Sequence, residues 1–255
     1  MWSNRTLRDV FAANGRADLV EEGADTAISG STAAEWALPG MLTAITDALA
    51  AAPTIDTVQL TVGGNDFLAG LSGGGWHTAI EQADLEELTS NLLSDISTII
   101  DHVLALRSDL EVLVSLYDYP RFFGLSLILG ACDDTWDDLG QPTPLELNLA
   151  LIDLEGALLQ LADARPRALA VSHRGLMQAT FGFPSDGIAP GDLALPGDPS
   201  LPSPSEAMFL GIDCIHLTSS GYEAVGQRLW ERYYRARFNP LVFADGFESG
   251  DLSNW

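Results

Sequence analysis

Two short stretches of this chain carry side chains that could act together on a reacting carbonyl. At 213–222 the sequence reads DCIHLTSSGY, with Asp213 three residues before His216. A carboxylate at that spacing can accept the imidazole Nδ1–H and fix its tautomer, which leaves Nε2 free as a general base. The plainer alternative is that Asp213 satisfies nearby backbone donors and His216 is an ordinary loop histidine. At 61–70 the sequence reads TVGGNDFLAG, which puts Asn65 behind Gly63 and Gly64. The Asn65 amide could donate to a developing oxyanion, and the glycines permit a tight turn that aims it. A Gly-Asn turn without chemistry is the other reading. A third stretch, AISGST at 27–32, places Gly30 where a loop enters a helix. Its N–H could be a second oxyanion donor, although glycine is common at such junctions. His77, His102 and His173 have no aspartate three residues before them; His173 follows a strand end and is the runner-up base.

These side chains need a scaffold, and the hydrophobic pattern supplies one. Residues 3–13 read as a helix with Leu7, Val10 and Phe11 on one side, and ADLVEEG at 17–23 as a short strand. Residues 31–51 are helical and broken at Pro39-Gly40. IDTVQLTV at 55–62 has the continuous apolar character of a strand buried on both faces. An amphipathic helix from Leu85 to Arg107, the strand LEVLVSLYDY, a second long helix from Pro144 to Arg165 and the strand RALAVSH follow. Residues 119–142 read as an irregular acidic loop and 181–205 as a Pro/Gly-rich one, which could wall a substrate pocket or simply connect. The last helix begins near Thr218, with Ser220 and Glu223 fitting a capping box. Strands alternating with such helices predict an α/β fold with a parallel sheet covered on both faces. Active sites in such sheets lie at the carboxyl ends of the strands, where Asn65 falls. The domain is expected over 1–238 and a separate tail over 239–255.

Composition narrows the partners. The 255 residues carry a net charge of −24, and all twelve basic residues are arginine. So acidic a surface argues against nucleic acid or an anionic membrane as partner, since nothing offsets phosphate repulsion. No apolar run is long enough to span a membrane, and the opening MWSNRTLRDV has no signal-peptide pattern. No cofactor is implied. The acids of CDDTWDDLG at 132–140 could bind Ca²⁺, but read better as a solvated loop. Cys132 and Cys214 are either one bridge in an exported protein or two unrelated buried thiols; a bridge would pin the Asp213–His216 stretch to the acidic loop.

In order and spacing, the three stretches together resemble the SGNH, or GDSL-type, hydrolases. AISGST matches the block with the oxyanion glycine, here Gly30; GGND matches G-x-N-D, here Gly63 to Asp66; DCIH matches D-x-x-H, with Gly221 at the following helix start. The resemblance covers roughly residues 1–237. It implies a three-layer α/β/α, flavodoxin-like fold. It also implies hydrolysis of a small-molecule ester by a Ser-His-Asp mechanism, with His216 and Asp213 catalytic, Gly30 and Asn65 forming the oxyanion hole, and Asp66 holding that turn. The family's first block, G-D-S at the end of a central strand, has no counterpart here, and Ser3 is the only serine near its place. The missing strand would sit between those near 18–23 and 55–62. The expectation is therefore a serine-esterase lineage, exported in its full-length form, with the nucleophile absent from these 255 residues. The alternative is an inactive relative that binds an acyl or carbohydrate ligand. The terminal DGFESGDLSNW resembles a closing motif of some secreted bacterial proteins.

Overall fold

The computed structural model describes residues 4–19, 26–122, 130–209 and 214–238. At its centre are three parallel strands, β1 (Thr57–Leu60), β2 (Glu111–Ser115) and β3 (Ala168–Val171), in the order β1-β2-β3. Thr57 pairs with Glu111 and Leu60 with Val114, while Val112 pairs with Ala168 and Ser115 with Val171. Alternation along the strands divides the side chains between two layers.

Val58, Leu60, Val112, Val114, Ala168 and Ala170 face the larger core. Helices α3 (Pro39–Ala51), α6 (Gln82–Leu106) and α8 (Pro144–Asp163) cover that side. Leu92, Ile96, Ile99, Ile100 and Val103 recur at three- and four-residue intervals along α6 and are buried there. On the opposite side, Leu113 and Val171 meet α1 (Asn4–Ala13) and α10 (Ser219–Leu229). Leu7, Val10 and Phe11 of α1 are buried against α10, as their spacing predicts. A short α2 (Ala33–Trp36) precedes α3. The helical stretch breaks where expected, because Pro39 lacks an N–H and suits the first turn of α3.

Four single-turn or short helices sit in the connections: α4 (Gly64–Phe67), α5 (Gly70–Gly73), α7 (Gly130–Asp138) and α9 (Leu176–Phe181). Beyond α10 a π-helical turn, Trp230–Tyr234, leads into α11 (Arg235–Phe238). The turn puts Trp230, Tyr233 and Tyr234 into the core together.

Several expectations need correction. The acidic stretch after Cys132 is helical, not irregular: Cys132 and Leu139 are buried and Trp136 packs against the core. That i, i+4, i+7 apolar stripe lay hidden beneath the aspartates. The cap of α10 is Thr218, whose Oγ1 accepts the Gly221 N–H at 3.2 Å, rather than Ser220 with Glu223. Thr218 N donates to Ala207 O at 2.8 Å, which holds residue 218 extended and starts the helix one residue later. β1 is only half-buried along its whole length, and among the described residues its outer edge has no partner strand. The expected strand at 17–23 lies mostly outside the described residues, and its first three residues form turn and coil.

Candidate active site

The chain leaving the carboxyl end of β1 turns at Gly63 and delivers Asn65 on α4. Asn65 is exposed, and its Nδ2 donates to Ser31 O at 2.9 Å. This bond orients the amide and uses one of its two N–H groups. Next to it, Asp66 accepts the N–H groups of Ala33 at 2.8 Å and Ala34 at 3.3 Å. A carboxylate there satisfies orphan donors at the start of α2 and opposes the positive end of the helix. Asp66 thus holds the turn, as read from the sequence, by tying G-x-N-D to the Gly30 segment.

That segment is itself locked. Ser31 Oγ donates to Ile28 O at 2.9 Å and accepts the Trp36 Nε1–H at 2.7 Å. Thr32 and Glu35 form a reciprocal capping box, with bonds of 3.1 and 3.0 Å. Gly30 lies inside the turn at φ +79°, a left-handed conformation that disfavours a side chain although open space surrounds it. Ser31, the neighbour of Gly30 in the chain, is thus bonded to Asn65, and Gly30 and Asn65 are both exposed.

A residue the sequence reading missed completes this corner. Tyr117 follows β2, and its hydroxyl accepts the Gly64 N–H at 3.1 Å. Burial, followed by the charge of Asp66, pushes that hydroxyl up to about 12, against the opposing pull of the Gly64 N–H. A Cβ on Gly64 would lie 2.7 Å from the Tyr117 ring, so the glycine is required by close approach. No local pattern signals this contact, because the partners are 53 residues apart.

His216 sits half-buried on the segment entering α10. Phe209 N donates to His216 O at 2.8 Å, and Met208 bridges Leu217. Arg121 N, beyond the carboxyl end of β2, donates to Cys214 O at 2.9 Å. The Cys132–Cys214 disulfide, with Cα atoms 5.6 Å apart, fastens the same segment to α7. The histidine segment and the Asn65 turn thus both depend from the carboxyl edge of the sheet. Asp213 and Ser3 lie outside the described residues.

His173, the runner-up base, has a different setting. It is 2% exposed, and its Nε2 lies 2.9 Å from Ser115 Oγ, which is equally buried. Burial, reinforced by Arg228, drives its pKa down to about 3. A neutral, enclosed imidazole already engaged at Nε2 is part of the core rather than a base open to substrate. Asp118 is another carboxylate at this edge. It accepts N–H groups from Tyr119, Gly175 and Met177, each at 2.7 Å, and so anchors the start of α9. Its burial outweighs those three donors and raises its pKa to about 7.

A parallel α/β/α sheet carrying G-x-N-D after one strand and a histidine before the last helix is the architecture of the SGNH-type hydrolases. The chain belongs to the GDSL-like lipase/acylhydrolase family, whose pattern matches residues 2–224. Its fold is similar to the crystal structure of Est24, a carbohydrate acetylesterase from Sinorhizobium meliloti. The TM-score is 0.53 at 16% sequence identity, over 93% of this chain and 88% of that one. No curated protein matches the sequence. Among the described residues, no helix is long and apolar enough to cross a membrane.

Proposed function

We propose that this site hydrolyses a small-molecule carboxylic ester by a Ser-His-Asp mechanism. The observation that carries the reading is the 2.9 Å bond from Asn65 Nδ2 to Ser31 O, which joins the G-x-N-D turn to the exposed segment that holds Gly30. The second Asn65 N–H and the Gly30 N–H are donors of the kind that suits the oxyanion of a tetrahedral intermediate. His216 Nε2 takes the proton of a serine hydroxyl as the oxygen attacks the ester carbonyl. Asp213 orients the ring and stabilises the imidazolium. Collapse of the intermediate returns the proton to the departing alcohol, and water releases the acid by the same steps in reverse order.

The nucleophile in this reading is a serine on a strand paired to the open edge of β1. The 255 residues contain no G-D-S triplet. A second reading is an inactive relative that binds an acyl or carbohydrate ligand; Est24, named as a carbohydrate acetylesterase, makes a sugar ester a reasonable substrate class to try. We further propose that the protein works after export, a reading supported by the buried Cys132–Cys214 bridge.

Active-serine labelling with a fluorophosphonate and turnover of a short-chain aryl ester test the first reading. The 255-residue chain should neither label nor turn over. A version extended by an N-terminal strand ending in G-D-S should do both. Turnover by the unextended chain that survives Ser3→Ala would refute the assignment of the nucleophile.

A further inference from the structure

Asn65 stands on a support that cannot hold itself. It follows two successive glycines, of which Gly63 is left-handed at φ +101°, and it lies on α4, a helix of four residues. Glycine gives the backbone its widest freedom, and a single helical turn is not stable alone. Gly63 also offers no side-chain cap. The side-chain bonds of Asn65 and Asp66 reach Ser31, Ala33 and Ala34, so they join α4 to the segment after Gly30 rather than to the sheet.

Tyr117 supplies the link to the sheet. Its hydroxyl oxygen takes the place of the missing cap and accepts the Gly64 N–H, the first of α4, at 3.1 Å. The residues on either side of Tyr117 are themselves fixed. Leu116 N donates to Val171 O at 3.0 Å, and the Asp118 carboxylate accepts the N–H groups of Gly175 and Met177, each at 2.7 Å. The Tyr117 ring lies so close to the Gly64 backbone that a Cβ there would be 2.7 Å from it. The backbone leading into Asn65 is therefore held against the end of β2 by packing and by a hydrogen bond at once.

We propose that Tyr117 is a positioning residue for Asn65: its hydroxyl ties the Gly63–Gly64 peptide to the sheet and so sets the direction of the Asn65 amide. That this amide serves an oxyanion rests on the hydrolytic reading above; that Tyr117 orders it does not.

Nuclear magnetic resonance of the 255-residue chain tests this without reading turnover. In the unaltered chain the Gly64 N–H should be protected from hydrogen exchange, a result that decides the matter if the variant fails to fold. Tyr117→Phe removes the acceptor and keeps the ring. The order parameter of the Asn65 side-chain amide should then fall from about 0.85 to below about 0.6. Tyr233→Phe controls for general loosening: it removes a buried hydroxyl that donates to Glu111 Oε2 at 2.8 Å, at the start of β2, and should leave Asn65 unchanged. In the protein extended by a G-D-S strand, Tyr117→Phe should lower kcat about tenfold with KM unchanged, and should cost nothing further in the Asn65→Ala background. An unprotected Gly64 N–H, an Asn65 amide that stays ordered in Tyr117→Phe, equal loosening in Tyr233→Phe, or losses that add in the double variant would overturn the proposal. If the extended protein neither labels nor turns over, the hydrolytic reading is lost, and the exchange and relaxation data still decide whether Tyr117 orders Asn65.

Discussion

The Gly30–Asn65 corner and the His216 segment are both presented at the carboxyl edge of one sheet, but by different means. The first is held by hydrogen bonds: Asp66 to the start of α2, Asn65 to Ser31, and Thr32 to Glu35. The second is held by the covalent Cys132–Cys214 bridge, helped by backbone bonds from Arg121 and Phe209. Hydrogen bonds fix donors to within a fraction of an ångström but rely on local structure. A disulfide ties down a segment whose neighbours are remote in sequence, here 82 residues away. The two halves of the proposed site should therefore fail under different treatments.

The largest separation is in chemistry. In the protein extended by a G-D-S strand, His216→Ala should lower kcat by about 10⁴-fold or more, since it removes the base; steady-state kinetics with an aryl ester reads this. Removing the disulfide as Cys132→Ala with Cys214→Ala should lower unfolding free energy by about 4–5 kcal/mol for a loop of this size. Hydrogen exchange should then quicken around 214–218 and stay unchanged at Ala33 and Ala34.

Acid acts on the same side of the molecule. His173 is held neutral in the folded chain and titrates near its usual value when unfolded. The folded state therefore refuses a proton that the unfolded state takes, and His173 makes stability fall as pH drops from about 6.5 to about 3. Asp118 works in the opposite sense: its raised pKa favours the folded state at low pH, and that contribution is lost as pH rises through about 4 to about 7. His173→Gln should flatten the acid side of a denaturation-versus-pH curve by up to a few kcal/mol.

The hydrogen-bonded corner is the subject of the two smaller effects. Asn65→Ala should slow turnover in the extended protein by about 10²–10³-fold, with KM nearly unchanged. Asp66→Ala should reduce stability by about 1–2 kcal/mol through loss of the α2 cap, measured by chemical denaturation. If Asp66→Ala disturbed the His216 segment as much as its own corner, the contrast between the two halves would collapse.

What could be read from the sequence was local or periodic. The burial of Leu7, Val10 and Phe11, the two long helices and the break at Pro39 all follow from spacing within one element. Gly30, Asn65 and Asp66 stand out in the sequence because glycines and a short polar run interrupt apolar stretches. Helix α7 was missed because Asp133, Asp134, Asp137 and Asp138 obscure the inward stripe of Cys132, Trp136 and Leu139. Asp138 accepts the Ser72 Oγ–H at 2.7 Å and the Ser72 N–H at 3.0 Å. Tyr117 was missed for another reason. Its partner Gly64 lies 53 residues away on a separate element that only the folded sheet brings close, and nothing in the residues flanking either one announces that.

The contact between Gly64 and Tyr117 has an evolutionary consequence. The backbone at 64 and the ring at 117 occupy one shared volume, so neither position is free to drift alone. Alanine at 64 requires a smaller residue at 117, and a smaller residue at 117 leaves the Gly64 amide without its acceptor. Descendants of this chain should change the two positions as a pair or keep both. A selection library that randomises either one alone should return its starting residue, whereas one that randomises both should recover compensated pairs.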